Sequence, residues 1–306
     1  MIFIIITNFL NNLTFHFSQH EVIRLLFFCL LGVLSFNTAK AQDILNNDFN
    51  TVNNKGKFFV FWGWNRADYS KSDIHFKGVD HDLLFDKVIA TDAPTPWDAS
   101  IYLNPALITI PQTNFKIGYF INDHYNLSFG VDHMKYVVVQ NQEVLTTGYI
   151  DREGSNFNGL YDNTPMVLTE DFLMFEHTDG LNYINIELTR FDNILVWFHK
   201  GQKNLEINLL EGVGIGALLP KTKMIFMEGK WYDDFHLSGF GLNLKVGLNI
   251  TFFKYFFIQG ELKGGYINMP DIRYSFVEVE RATQSFMFTE IDFLFGVKFK
   301  IANKNK

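Results

Sequence analysis

Between Ile291 and Ile301 the chain alternates without a break: Ile291, Phe293, Phe295, Val297, Phe299 and Ile301 fall on one face, Asp292, Leu294, Gly296, Lys298 and Lys300 on the other. A period of two is that of a β-strand, here with one greasy and one largely polar face. The alternation covers eleven residues, about the length a tilted strand needs to cross a bilayer. This segment predicts the architecture of the whole: an all-β, antiparallel, up-and-down transmembrane barrel, closed by a strand over 285–301.

The rest of the composition fits that reading. The chain has 34 Phe among 306 residues and is 47% hydrophobic, yet holds no uninterrupted apolar run of 18 residues, so its apolar content is spread over short pieces and a polytopic helical membrane protein is not expected. Residues 1–41 read differently. Arg24 precedes an apolar run from Leu25 to Leu34, and Ala39-Lys40-Ala41 supplies a small-x-small cleavage pattern before Gln42. That order is that of a secretory signal peptide, the alternative being an uncleaved anchor helix; residues 1–20 sit awkwardly ahead of it, as from a mis-assigned start. Removing 1–41 takes away Arg24, Lys40, Glu21 and the single cysteine, Cys29, so the formal charge moves from −7 to −8 and no disulfide can form. An acidic chain of this kind is not expected to bind nucleic acid.

Eight alternating segments are predicted, near 57–66, 113–121, 125–139, 181–191, 205–216, 239–252, 256–267 and 285–301. They follow a flexible segment over 42–56 and precede a short tail over 302–306. The hairpin around Phe253-Lys254-Tyr255 is the clearest: pairing Phe252 with Phe256 sets Val246 opposite Leu262 and Asn249 opposite Gln259, apolar on apolar and polar on polar. Even-numbered closure puts both termini on one side with the connections 122–124, 192–204 and 253–255. Four long loops, including 67–111, 140–180, 218–237 and 268–284, lie on the other. Ile194 to His199 is read as an extension of the preceding strand past a bulge at Asp192-Asn193.

Alternation alone fits a soluble barrel as well, with its greasy face turned inward. The polar faces favour the membrane form. They carry Gly, Asn, Ser, Thr and Gln with a few opposed charges, Glu187, Lys245, Glu261, Lys263, Asp292 and Lys298, which suit a narrow lumen better than a solvated exterior. Lipid would then meet Phe240, Leu242, Leu244, Val246, Leu248, Ile250, Phe293, Phe295, Val297 and Phe299. Aromatic residues also gather beside the short turns, as at a membrane interface.

Gly296, Phe299 and Ile301 resemble the C-terminal signal by which outer-membrane proteins are recognised for assembly, with Leu294 where a polar residue is usual and a short tail behind. The segments GYFINDHYNLSFGVDHMKY, EGVGIGALLP and FFIQGELKGGYINMPDIR resemble outer-membrane β-barrel proteins of Gram-negative bacteria without an assigned activity, of the small OmpA-, OmpX- and OmpW-like kind. The resemblance implies an outer-membrane location and a barrel fold. It implies as partners outer-membrane lipid and lipopolysaccharide and the assembly machinery, and it supplies no catalytic residue.

Two groups of residues carry the chemistry that the chain offers. His133, His236 and Ser238 lie at outer strand ends, where an imidazole base beside a hydroxyl could serve lipid acyl transfer or hydrolysis. Asp73, His75, Asp80, His81 and Asp82 cluster in the first loop and could hold a divalent cation or merely be solvated. Gly212-Val213-Gly214-Ile215-Gly216 lacks the strand-then-helix setting and following acid of a dinucleotide fingerprint and reads as barrel wall. The expectation is a monomeric barrel without cofactor, structural or surface-interacting through its loops. The alternatives are a narrow channel for a small solute, an apolar one included, and a lipid-modifying acyl hydrolase or transferase.

Overall fold

The computed structural model describes residues 53–301 apart from 103, 105–106, 108–109, 198–203, 228 and 230; the leader, most of the segment 42–56 and the tail over 302–306 lie outside the described residues. Fourteen strands form one sheet: β1 (Phe58–Tyr69), β2 (Ser72–Lys77), β3 (His81–Val88), β4 (Ala90–Thr91), β5 (Thr113–Phe120), β6 (Tyr125–Val138), β7 (Glu143–Ile150), β8 (Gly159–Val167), β9 (Leu173–Asn193), β10 (Leu205–Phe226), β11 (Tyr232–Phe235), β12 (Gly239–Phe252), β13 (Phe256–Arg273) and β14 (Arg281–Phe299). Two single-turn helices, α1 (Ala99–Tyr102) and α2 (Ile194–Trp197), occur among the described residues.

Eight of these strands close a ring in the order β1-β5-β6-β9-β10-β12-β13-β14, with every pairing antiparallel and β14 returning to β1. They are the eight the alternation predicts. The hairpin register is also the expected one, with Phe252 opposite Phe256, Val246 opposite Leu262 and Asn249 opposite Gln259. Its turn holds Phe253 and Lys254 at positive φ, 51° and 69°, which lets three residues reverse the chain. At the short turn 122–124, Asn122 Oδ1 accepts from the backbone N–H groups of His124 and Tyr125 at 2.9 and 2.8 Å, an Asx turn that fixes the β5–β6 register.

The long connections are where the structure departs from the sequence reading. The stretch 67–111 is not an irregular loop. After a break at Ser70-Lys71, β2 takes over from β1 along β14, setting Lys77 against Arg281, and β3 and β7 add to it in turn, followed by β8 at the edge. β10 runs on to Phe226, ten residues past its expected end, and β9 begins at Leu173, eight before its expected start. The last connection shrinks to residues 274–280, because β13 extends to Arg273 and β14 begins at Arg281. Ile194–Trp197 is a helical turn instead of strand; Asn193 Oδ1 accepts from the N–H of Leu195 at 3.0 Å, an N-cap arrangement that competes with extended pairing.

The extensions escape a sequence reading because the hydrophobic pattern inverts along the extended strands and irregularities interrupt the ladders at Pro220/Lys223, Met269/Ile272 and Met134/Tyr136. On β10 the outward Val213 and Ile215 are exposed and Gly212, Gly214 and Gly216 turn inward; farther on, Leu218, Met224 and Phe226 are buried inside and Lys221 and Lys223 point out. The lower half of the barrel is thus apolar outside and carries buried charged and polar side chains inside, above a small apolar cluster near the short turns. The upper half is a dome with an apolar core built from Phe76, Phe85, Tyr136, Phe175, Phe226, Phe288 and their neighbours.

Candidate functional site

The inward face of β14, read from the short-turn end, gives the layers of the interior in order: Lys298, Gly296, Leu294, Asp292, Glu290, Phe288 and Phe286. Leu294, in the place where a polar residue is usual, joins Phe59, Phe61, Phe120, Phe191, Leu210 and Phe257 in an apolar cluster just above the mouth. Lys298 lies at that mouth, its ammonium 2.8 Å from Glu206 Oε2 and 3.3 Å from Asn54 Oδ1. A cavity of about 10 Å³ borders the cluster, room for about one water.

Above the cluster lies a buried ion network. Lys263 Nζ is 2.7 Å from Asp132 Oδ2, 3.5 Å from both Glu290 Oε2 and Asp292 Oδ2, and 3.8 Å from Glu187 Oε1. Lys116 reaches Glu187 Oε1 at 2.5 Å and Asp132 Oδ1 at 3.4 Å, and Lys245 reaches Glu187 Oε2 at 2.7 Å and Glu261 Oε1 at 3.0 Å. Asn114 Nδ2 donates to both Glu290 Oε1 (2.7 Å) and Asp292 Oδ1 (2.9 Å). Charges so far from water persist only when paired and hydrogen-bonded, and here contributions from six ring strands meet on the axis. Gly214 makes room for them: a Cβ there would crowd the Glu187 and Asn243 side chains.

The predicted lumen residues Glu187, Lys245, Glu261, Lys263 and Asp292 all turn into this network, whereas Lys298 belongs to the mouth below it. Sequence reasoning missed Lys116, Asp132 and Glu290. Lys116 was legible as a polar-face position of its strand. Asp132 and Glu290 stand inside the predicted strands 125–139 and 285–301 but beyond the stretches of clear apolar alternation, so their faces were not assigned. The residues expected to meet lipid, Phe240, Leu242, Leu244, Val246, Leu248, Ile250, Phe293, Phe295, Val297 and Phe299, lie on the outward face. Of the proposed assembly signal, Gly296 faces inward, where a Cβ would overlap the Val60 carbonyl oxygen and the Phe257 ring. Phe299 pairs opposite Phe58, and Ile301 follows the strand's end.

The candidate catalytic residues do not assemble. His236 Nε2 is 2.9 Å from Asp271 Oδ2, and the buried Ser238 hydroxyl donates to the backbone carbonyl of His236 at 3.2 Å instead of to an imidazole. His133 lies two strands from β10 on the ring and its Nδ1 faces Asn182 Oδ1 at 2.8 Å.

The first-loop cluster splits in two. His75 Nε2 and Asp82 Oδ1 meet at 2.6 Å on the dome's outer side, and Asp73 Oδ1 accepts from the N–H of Lys87. Asp80 and His81 instead join Glu280, their candidate ligand atoms lying within 4.8 Å of one another. Arg152 already fills the cation's place: its Nε is 2.7 Å from Asp80 Oδ2 and its Nη2 3.6 Å from Glu280 Oε1. Hydrogen bonding from that guanidinium holds the Asp80 carboxyl down to about 2. The His81 ring is spanned by Asp80 at Nδ1 (2.7 Å) and Tyr274 Oη at Nε2 (2.5 Å), so the group ties the β2–β3 turn to the β13–β14 connection.

No family model matches the chain, and no curated protein matches it. Among solved structures it is similar to the attachment invasion locus protein Ail of Yersinia pestis (11% identity over 80% of this chain and 99% of that one, TM-score 0.31). It is also similar to the outer membrane protein OprG of Pseudomonas aeruginosa (12%, 81% and 98%, TM-score 0.39) and to the outer membrane protein AlkL (9%, 84% and 96%, TM-score 0.36). These are small outer-membrane β-barrels, and the likeness to them is one of architecture.

Proposed function

We propose that this chain is a monomeric integral outer-membrane barrel with a sealed lumen, serving a structural or surface-interaction role through the dome that it raises above the membrane. One observation carries the reading: on the same strands the outward face is apolar below and polar above, while the inward face holds a buried ion network below and a continuous apolar core above. A soluble barrel would need its greasy face inside throughout; a strand that changes medium partway needs this inversion. In this reading residues 1–41 direct export and are removed, the short turns face the periplasm, and outer-membrane lipid and lipopolysaccharide surround the belt. The end of β14 is what the assembly machinery recognises.

The aromatic cluster, the ion network and the dome core stand in series across the axis, which favours the surface role over passage of a solute. Reconstitution into planar bilayers tests this. The folded protein, identified by its heat-modifiable gel mobility, is expected to give no steady conductance. Stable ohmic steps would overturn the sealed-lumen reading, and a chain that stays soluble without detergent would overturn the membrane reading itself. Ser238→Ala is expected to leave lipid A acylation unchanged.

A further inference from the structure

Two segments outside the ring sit on opposite sides of it, each where an outward apolar series ends. On β1 the outward apolar series ends at Trp64, and the next outward residues, Arg66 and Asp68, are exposed charges. Against that boundary lies the strap Asp92–Tyr102, which includes α1. Trp97 packs on Tyr102 and Trp64 at ring centroid distances of 4.7 and 6.3 Å, and Trp64 in turn packs on Phe295 of β14 at 5.4 Å. Although engaged on two sides, Trp97 remains 43% exposed, and Ile110, whose carbonyl accepts from Thr95 of the strap, is exposed as well.

The strap satisfies its own polar groups. Tyr102 Oη donates to the Thr95 carbonyl at 2.6 Å, Thr95 Oγ1 donates to the Ile110 carbonyl at 2.9 Å, and Lys135 Nζ donates to the same carbonyl at 2.8 Å. A segment whose polar groups are hydrogen-bonded and whose tryptophan is half exposed suits the boundary between headgroups and acyl chains.

Four strands around the ring, the outward apolar series of β10 gives way to charge between Leu219 and Lys221. There β11 and the residues after it flank β10: Phe235 pairs opposite Lys221, whose ammonium lies 6.0 Å from its ring centroid, and Leu237 is 60% exposed. Below them the outward series Phe240, Leu242 and Leu244 continues down β12 without a gap.

We infer that these two segments are interfacial anchors, with Trp97 and Ile110 on one side and Phe235 and Leu237 on the other seated in the lipid surface of the outer leaflet, where they fix the barrel's depth and tilt. The occupant is lipid, because both patches are continuous with the belt below and are bounded above by charge, Arg66 and Asp68 on one side and Lys221 and Lys223 on the other. The inference rests on the membrane reading proposed above.

Spin labels at single cysteines, placed by Trp97→Cys and Leu237→Cys in a chain also carrying Cys29→Ser and reconstituted in lipid vesicles, test it. Leu244→Cys reports the belt and Leu160→Cys, at an 85% exposed position on β8, reports the dome. The labels at 97 and 237 are expected to collide more with dissolved oxygen than with a water-soluble nickel chelate, at values between the two controls. Labels at 97 and 237 that match position 160, while 244 stays in lipid, would overturn the anchors alone. A label at 244 that also behaves as in water would overturn the membrane reading with them. Should Trp97→Cys or Leu237→Cys fail to fold, Ile110→Cys and Phe235→Cys report the same two patches.

Discussion

Lys263 and Asp132 lie 131 positions apart in sequence and 2.7 Å apart in space, on opposite sides of the barrel axis and both fully buried. The strands that bring them together, β13 and β6, share no ladder, so the pair spans the lumen. Lys263→Met leaves Asp132 and its acidic neighbours without this ammonium. Breaking a buried pair from one side costs about 3–5 kcal/mol, so the urea midpoint of the folded barrel in detergent should fall sharply. Adding Asp132→Leu should recover much of the loss, because the uncompensated charge goes with it; additive losses would show that the two residues are not coupled.

Phe295 lies outward on β14, opposite Trp62 of β1 and Ile258 of β13, well inside the apolar belt. Phe295→Arg should cost roughly 2–4 kcal/mol, as expected for a cation near the bilayer midplane. Equilibrium unfolding from vesicles measures it, with Leu160→Arg on the dome as a reference that should change stability little. Equal effects at both positions would remove the belt.

Gly296 supports closure of the ring. A side chain there meets the Val60 backbone, which cannot retreat without opening the β1–β14 ladder, as well as the Phe257 ring. Gly296→Val should therefore reduce the heat-modifiable folded fraction during refolding of the purified chain into detergent, where no assembly machinery is present. Normal refolding there, with failure only in cells, would assign the glycine to recognition instead of packing.

His177 gives the dome a pH dependence. It is buried between Tyr136 and Phe175, at ring distances of 5.8 and 5.0 Å, and desolvation pushes its imidazole down to about 3. The unfolded chain then binds the extra proton over the interval from the ordinary histidine value near 6.5 down to about 3, so dome stability should fall as pH is lowered through that window. The slope at its steepest is about 1.4 kcal/mol per pH unit. Amide exchange of β6 and β9 above Leu181 should speed up on acidification in the wild type, and His177→Phe should flatten the response.

The sequence by itself determined the ring. Alternation with period two marked the eight strands, and matched faces fixed the 252–256 hairpin register, because a one-residue slip would turn every side chain to the wrong medium. It also placed Glu187, Lys245, Glu261, Lys263 and Asp292 together on inward faces. Tertiary structure alone decided where the strands end and what fills them. Beyond Leu181, Leu218 and Ile267 the apolar and polar faces exchange places as the surroundings change, so continuing strands read as loops. Asp132 met Lys263 only through closure, since local periodicity says which face a residue takes and nothing about which distant face it will meet across a closed ring.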